Sequence, residues 1–286
     1  MYKFFNFLNS FPTTMSYFQS VDLLNGEIRD LTNGDIDREP TTPTLYDKKN
    51  KDISRFIKYN WVDSDGNLNA PEYIVNKLGY RTSIEFNDDI PIAVGCSNTF
   101  GKGNHEIHTW PFLLSQKINK KIINLGIPGG SMDSSYRVIK WYLQEYNPKE
   151  IFFLIPSAFR AEYYIRLSNL KESGLPKNTH IQVGPNFHTF ENNTEKKNFQ
   201  KYIFDTTYSL DETVYLNFYK NIEAIKFLCH QNNVTLYEMY DVSMYNQDNI
   251  MKNFDIDKHF SYDLNHFGPE YQELITSMFF DMISKK

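Results

Sequence analysis

Short apolar runs, each halted by small or polar residues, recur through the second part of the chain. Ile90, Ile92, Ala93 and Val94 form one such run, which stops at Gly95. Its apolar residues do not simply alternate with polar ones, so it reads as a strand covered on both faces. KIINL over 121–125, EIFFLI over 150–155 and VTLYEM over 234–239 repeat the pattern. Segments with apolar residues at helical spacing lie between them. Residues 109–120 have Thr109 at the N-cap position and Pro111 in the first turn. Residues 133–146 place Tyr136, Ile139, Lys140 and Leu143 in register. A helix starting at Ser209 or Asp211 carries Leu216, Tyr219, Ile222, Ile225 and Leu228 as far as Cys229 and His230. The closing helix, 269–284, presents Leu274, Ile275, Met278, Phe279 and Met282. Strands alternating with helices imply right-handed crossovers and a parallel sheet, placing the chain in the α/β class.

The remainder is less regular. Residues 1–85 read as an N-terminal arm or extension, in which Pro40 and Pro43 break any helix. Within it, 61–67 read as a turn and 71–78 as a short helix. The domain proper spans 86–286. Between Arg160 and Thr207 the periodicity loosens, and Pro176, Pro185 and the polar run 191–197 mark an insertion over about 165–207.

Composition narrows the function classes. The net charge is −5, both signs are interspersed, and no Lys/Arg run tracks phosphates, so nucleic acid is not an expected partner. No window approaches the ~18 apolar residues of a membrane span. The opening MYKFFNFLNSF lacks a small-residue cleavage pattern, so it is not read as a signal peptide and the default location is cytoplasmic. Cys96 and Cys229 both fall in interior segments and are expected as reduced thiols. The 20 Tyr and 23 Phe point to core and interface packing, and the aromatic arm offers a surface for homo-oligomerisation.

Three stretches carry candidate chemistry. In Gly95-Cys-Ser-Asn-Thr-Phe-Gly101 a hydroxyl, Ser97, stands just past a buried strand, at the sheet edge where ligands collect in open α/β folds. A nucleophile elbow would need Gly in place of Thr99. A phosphate-cradling loop would need four residues between its glycines and a hydroxyl where Gly103 stands. An ordinary tight turn would look similar. In Asp263-Leu-Asn-His266, ahead of the last helix, one loop could supply a base for Ser97 and an acid to orient it, or could merely cap and solvate. In Gly126-Ile-Pro-Gly-Gly-Ser131, backbone N–H groups of a strand-to-helix turn could hold an oxyanion, or form a plain turn. His105 and His108 suggest a metal pair, but no third ligand stands at a recognisable spacing, so a solvated loop is expected.

Together these stretches resemble the SGNH/GDSL hydrolase family. GCSNTFG resembles its G-D-S-x-T-x-G block, NLGIPGGS its second block and DLNHF its closing D-x-x-H block. The upstream NKLGYRTSIEF is similar to the N-x-x-G-[FY]-R segment of a branch with polysaccharide O-acetyl esterases and acetyltransferases. The resemblance implies a three-layer α/β/α, flavodoxin-like parallel sheet. It implies Ser97 as nucleophile, His266 as general base and Asp263 as its orienter, with the backbone N–H groups of Ser97 and Gly129 in the oxyanion hole. Such a triad works without cofactor or metal. The implied activity is that of a serine esterase removing a small acyl group, most simply acetyl, from a carbohydrate or other small ester. An O-acetyltransferase using the same triad and a catalytically weak glycan-binding protein are the alternatives.

Two departures stand out. Cys96 replaces the block-one Asp; side-chain alternation predicts that it faces away from Ser97. Where an oxyanion-hole Asn should follow the third strand, the chain reads Ile155-Pro-Ser-Ala-Phe-Arg160. Ser157 is the stand-in donor, with Arg160 assisting and Asn98 as a further candidate.

Overall fold

The structure is a computed structural model that describes residues 57–62, 69, 71, 73–76, 78–166, 178–183, 198, 202, 211–241, 261 and 266–285. The N-terminal arm before 57, residues 63–67 of the turn expected over 61–67, and Asp263 lie outside the described residues.

Strand β1 (Ile92–Val94) leads through a short helix α1 (Ser97–Phe100) and a 3-10 turn (Glu106–His108) into α2 (Trp110–Ile118). Then come β2 (Ile123–Asn124), α3 (Met132–Glu145) and β3 (Glu150–Ile155). After β4 (Ala161–Arg166) and β5 (Asn178–Val183), α4 (Asp211–Gln231), β6 (Thr235–Tyr240) and α5 (Pro269–Ser284) complete the described elements. The sheet order is β2-β1-β3-β6, every pairing parallel. This is the expected doubly wound arrangement.

Period-two alternation along the strands divides the core between the two faces of this sheet. Ile92, Val94, Ile151, Phe153 and Ile155 point to one side, where Val138, Ile139 and Tyr142 of α3 and Phe218, Ile222 and Ile225 of α4 cover them. Ala93, Phe152, Leu154, Tyr237 and Met239 point to the other, against Trp110 and Leu114 of α2 and Tyr271, Ile275 and Phe279 of α5. The Trp110 and Phe279 rings stack at 4.8 Å and hold those two helices together. Both faces are covered, as the non-alternating strands require. Cys96 and Cys229 are buried free thiols. No described helix is long and apolar enough to cross a membrane.

Several expectations need correction. The loosened stretch after Arg160 contains an antiparallel hairpin, β4 against β5, paired from Ala161–Val183 to Arg166–Asn178. AEYYIR and NTHIQV alternate polar with apolar residues, so neither shows the continuous apolar run of the other strands. Pro71 and 73–76 are not helical. Asn76 instead closes a turn, its Oδ1 accepting from the N–H groups of Leu78 and Tyr80. The buried face of α4 runs through Val214, Phe218, Ile222, Ile225 and Cys229, whereas Leu216 (72% exposed) and Tyr219 (56%) face out. The helix is apolar on more than one side at its start, so its sequence alone does not fix its phase.

Candidate active site

All four sheet strands are parallel, so the segments that follow them emerge at one edge. Ser97 follows β1, the Gly126–Ser131 turn follows β2, Ser157 and Arg160 follow β3, and Asp241 follows β6.

Ser97 opens α1, and close approach of backbone shapes the turn around it. A side chain at Gly95 would come within 2.7 Å of the Leu154 carbonyl and 2.2 Å of Thr99 Oγ1. One at Gly126 would lie 2.2 Å from the Phe100 backbone nitrogen, so the β2 turn can lie against α1 only with glycine there. Asn124 fastens the same seam, its amide donating to the Thr99 carbonyl (2.9 Å) while its Oδ1 accepts from Gly126 N–H (2.9 Å). Ile127 N–H reaches the Gly95 carbonyl (3.0 Å), continuing the β1–β2 pairing into the turn. Ser131 then caps α3 in a reciprocal capping box with Ser134. Gly129 is therefore carried by a turn that packs on the Ser97 turn.

The far end of α1 is held by Arg81, from the NKLGYR segment. Its guanidinium donates to the carbonyls of Phe100 (3.1 Å), Gly101 (2.8 Å) and Asn104 (2.9 Å). Its faces lie over Tyr73 and Phe100. Burial draws the Arg81 pKa down to about 10, which leaves the group charged at neutral pH. A cation here also suits the negative end of the helix dipole. Sequence reading treated this segment only as a point of resemblance; a buried Arg that reaches backbone carbonyls leaves no periodic signal.

His266 is half-buried and sits just ahead of α5. Two links join its segment to the Ser97 turn. Asn104, already bonded to Arg81 through its carbonyl, donates its amide to the Phe267 carbonyl (3.0 Å). Asp241, fully buried, accepts from the Asn98 amide through Oδ2 (2.7 Å) and from the Tyr271 hydroxyl through Oδ1 (2.5 Å). Trp110 N–H to Gln272 Oε1 (2.9 Å) further pins the start of α5. Asp241 was missed in the sequence, although an acidic residue just past a strand at the ligand edge is a usable signal.

The remaining candidates divide. Asn98 directs one amide N–H to Asp241 Oδ2, which leaves its second N–H to donate elsewhere. Ser157 is half-buried and its Oγ accepts from Phe159 N–H (3.2 Å), which leaves its hydroxyl proton to donate. Arg160 carries a buried Nη1 that has no hydrogen-bond partner among the described residues. Cys96 is sealed, and burial raises its thiol pKa; Arg160 and the neighbouring Ser97 hydroxyl act in the opposite sense. The Cys96 Sγ lies 3.9 Å from Asp241 Oδ2, at the point where strand periodicity ends and the chain turns into α1. His105 and His108 are half-buried, not solvated: His105 Nε2 lies 3.0 Å from the Asn60 carbonyl and His108 packs edge-on against Tyr59. Among the described residues no cluster of three or more metal-ligating side chains occurs.

No family profile and no curated protein matches the chain. Among solved structures it is similar to the psychrotrophic esterase EstA from Pseudoalteromonas sp., at 15% identity, with 69% of this chain and 98% of the other covered and a TM-score of 0.35. It is similar to the Clostridium thermocellum family 3 carbohydrate esterase at 16% identity, covering 67% and 94%, with a TM-score of 0.33. It is also similar to AlinE4, an SGNH-hydrolase family esterase, at 14% identity, covering 71% and 98%, with a TM-score of 0.26.

Proposed function

We propose that this protein is a serine esterase of the SGNH/GDSL type, removing a small acyl group, most simply acetyl, from a carbohydrate. The observation that carries the reading is the pair of links, through Asp241 and through Asn104, between the Ser97 turn and the segment bearing His266. In this reading His266 takes the Ser97 proton as the hydroxyl attacks the ester carbonyl, and Asp263 orients the imidazole and stabilises its cationic form. The resulting oxyanion is held by the backbone N–H groups of Ser97 and Gly129. Ser157 supplies the donor that an Asn side chain would otherwise give, and Nη1 of the Arg160 guanidinium adds a charged one. The leaving alcohol recovers the proton from His266, and water then releases the acyl group by the same path. Cys96 takes no part, since a buried thiol with a raised pKa supplies little thiolate.

The test is hydrolysis of p-nitrophenyl acetate by wild type and Ser97→Ala. The variant should lose at least about a thousandfold in kcat. Equal rates would refute the assignment. A panel of acetylated glycans, with released acetate as the readout, then tests the carbohydrate: wild type should act on at least one polymer that Ser97→Ala leaves untouched.

A further inference from the structure

The carboxylate of Asp241 is 0% exposed, yet it lies at the edge where the candidate chemistry is gathered. Its backbone is fixed, because Asp241 N–H donates to the Ile155 carbonyl (3.1 Å) and so extends the β3–β6 pairing by one rung. The two carboxylate oxygens serve different parts of the chain. Oδ2 faces Asn98, the residue after Ser97, with Cys96 Sγ at 3.9 Å. Oδ1 takes the hydroxyl of Tyr271, in the first turn of α5, whose ring packs on Phe267 at 4.5 Å. Phe267 is the next residue after His266.

We propose that Asp241 is a positioning residue, a buried strap whose two oxygens fix the Ser97 turn and the His266 segment at one working separation. The idea rests on the esterase reading above and deepens it. A carboxylate suits the task because both oxygens accept, so one group can bind two donors from opposite sides. Its anchorage at the end of β6, paired along its length with β3, gives the strap a rigid base. A simple core role would need only a side chain of matching volume, whereas this group joins the immediate neighbour of the nucleophile to the helix that follows the base. Small errors in such a separation cost much more in rate than in stability, since the reacting atoms must stay near contact distance.

The experiment measures labelling of Ser97 by a fluorophosphonate probe together with kcat and KM for p-nitrophenyl acetate. Wild type, Asp241→Ala and Tyr271→Phe are compared, each well below its own Tm. Tyr271→Phe keeps the ring packing and removes only the hydroxyl, so it remains informative if Asp241→Ala does not fold. The expected result for Tyr271→Phe is a fall of about tenfold in labelling rate and kcat with KM within about twofold of wild type, Asp241→Ala falling further. A second arm combines Asn98→Ala with Tyr271→Phe. Because both cut the same strap, the double variant should lose little more than the worse single one. Wild-type labelling and kcat in Tyr271→Phe, with only Tm lowered, would overturn the strap while leaving the esterase reading intact. A wild type that neither labels nor hydrolyses would overturn the esterase reading, and the strap with it.

Discussion

The two halves of the candidate site are built differently. The Ser97 turn is enclosed by contacts to its backbone: Gly126 against Phe100, the Asn124 amide on the Thr99 carbonyl and the Arg81 guanidinium across the carbonyls at the end of α1. The His266 segment is suspended, reached through Asn104 at Phe267 and through Asp241 at Tyr271. In the proposed reading the nucleophile must be held still, and its turn is fixed by glycine contacts and by side chains bonded to its backbone carbonyls. A base must be brought across the fold, so side chains from distant segments place it. Changes on the serine side should therefore damage both fold and rate, and changes on the histidine side mainly rate.

Among changes to the residues that support the two halves, the largest effect on rate is expected from Gly126→Ala. The new methyl would meet the Phe100 backbone nitrogen at 2.2 Å, and neither backbone can yield without moving the turn. Overpacking of this kind costs about 1–3 kcal/mol. A displacement near 1 Å at the nucleophile costs about a hundredfold in rate. Urea melts and Ser97 labelling should both register it. A variant with wild-type labelling would show that the serine turn is less tightly held than the contacts imply.

Arg81→Met should come next. It leaves buried carbonyls without a donor, at about 1–3 kcal/mol each. Relief from burying a charge offsets part of that, so a net loss of about 3 kcal/mol is expected in the melt. Arg81→Lys should not restore it, because an ammonium lacks the flat fork that spans several carbonyls. Full rescue by Lys would reduce Arg81 to a point charge.

The same contrast explains what the sequence made legible. The strands, the closing helix and the Ser97 block could be read because continuous apolar runs and small-residue turns are local signals. Arg81, Asn124 and Asp241 could not be assigned roles that way. Each acts on backbone or side chains far along the chain, and a buried polar residue interrupts the apolar pattern without saying what it binds. The phase of α4 was misread because Leu216 and Tyr219 are as apolar as the residues that are buried. The β4–β5 hairpin escaped for the opposite reason: its alternation is too polar to resemble core strands.

A smaller effect should follow Asn104→Ala, the cut on the histidine side. It removes the donor to the Phe267 carbonyl, worth about 1 kcal/mol in stability. The kcat should nevertheless fall severalfold with KM little changed. Equal losses in Asn104→Ala and Arg81→Met would erase the proposed difference between the halves.

The smallest effect concerns His108, at the end of the loop that joins those halves. Burial lowers its pKa, and the nearby His105 and Lys58 add to the shift while Glu270 on α5 opposes it. The folded state therefore binds this proton less readily than the unfolded chain, whose histidine titrates near about 6.5. At pH 7.5 both states are neutral and nothing is lost. As pH falls through the unfolded value, the unfolded chain takes up the proton first and stability declines, until the folded-state pKa is passed and the decline stops. His108→Phe keeps a ring against Tyr59 but cannot titrate. The difference in denaturation midpoint between wild type and His108→Phe should thus shift against wild type from pH 7.5 to pH 5.5. A gap that stays constant would mean that the His108 proton is not linked to folding, and that its ring serves only to pack against Tyr59.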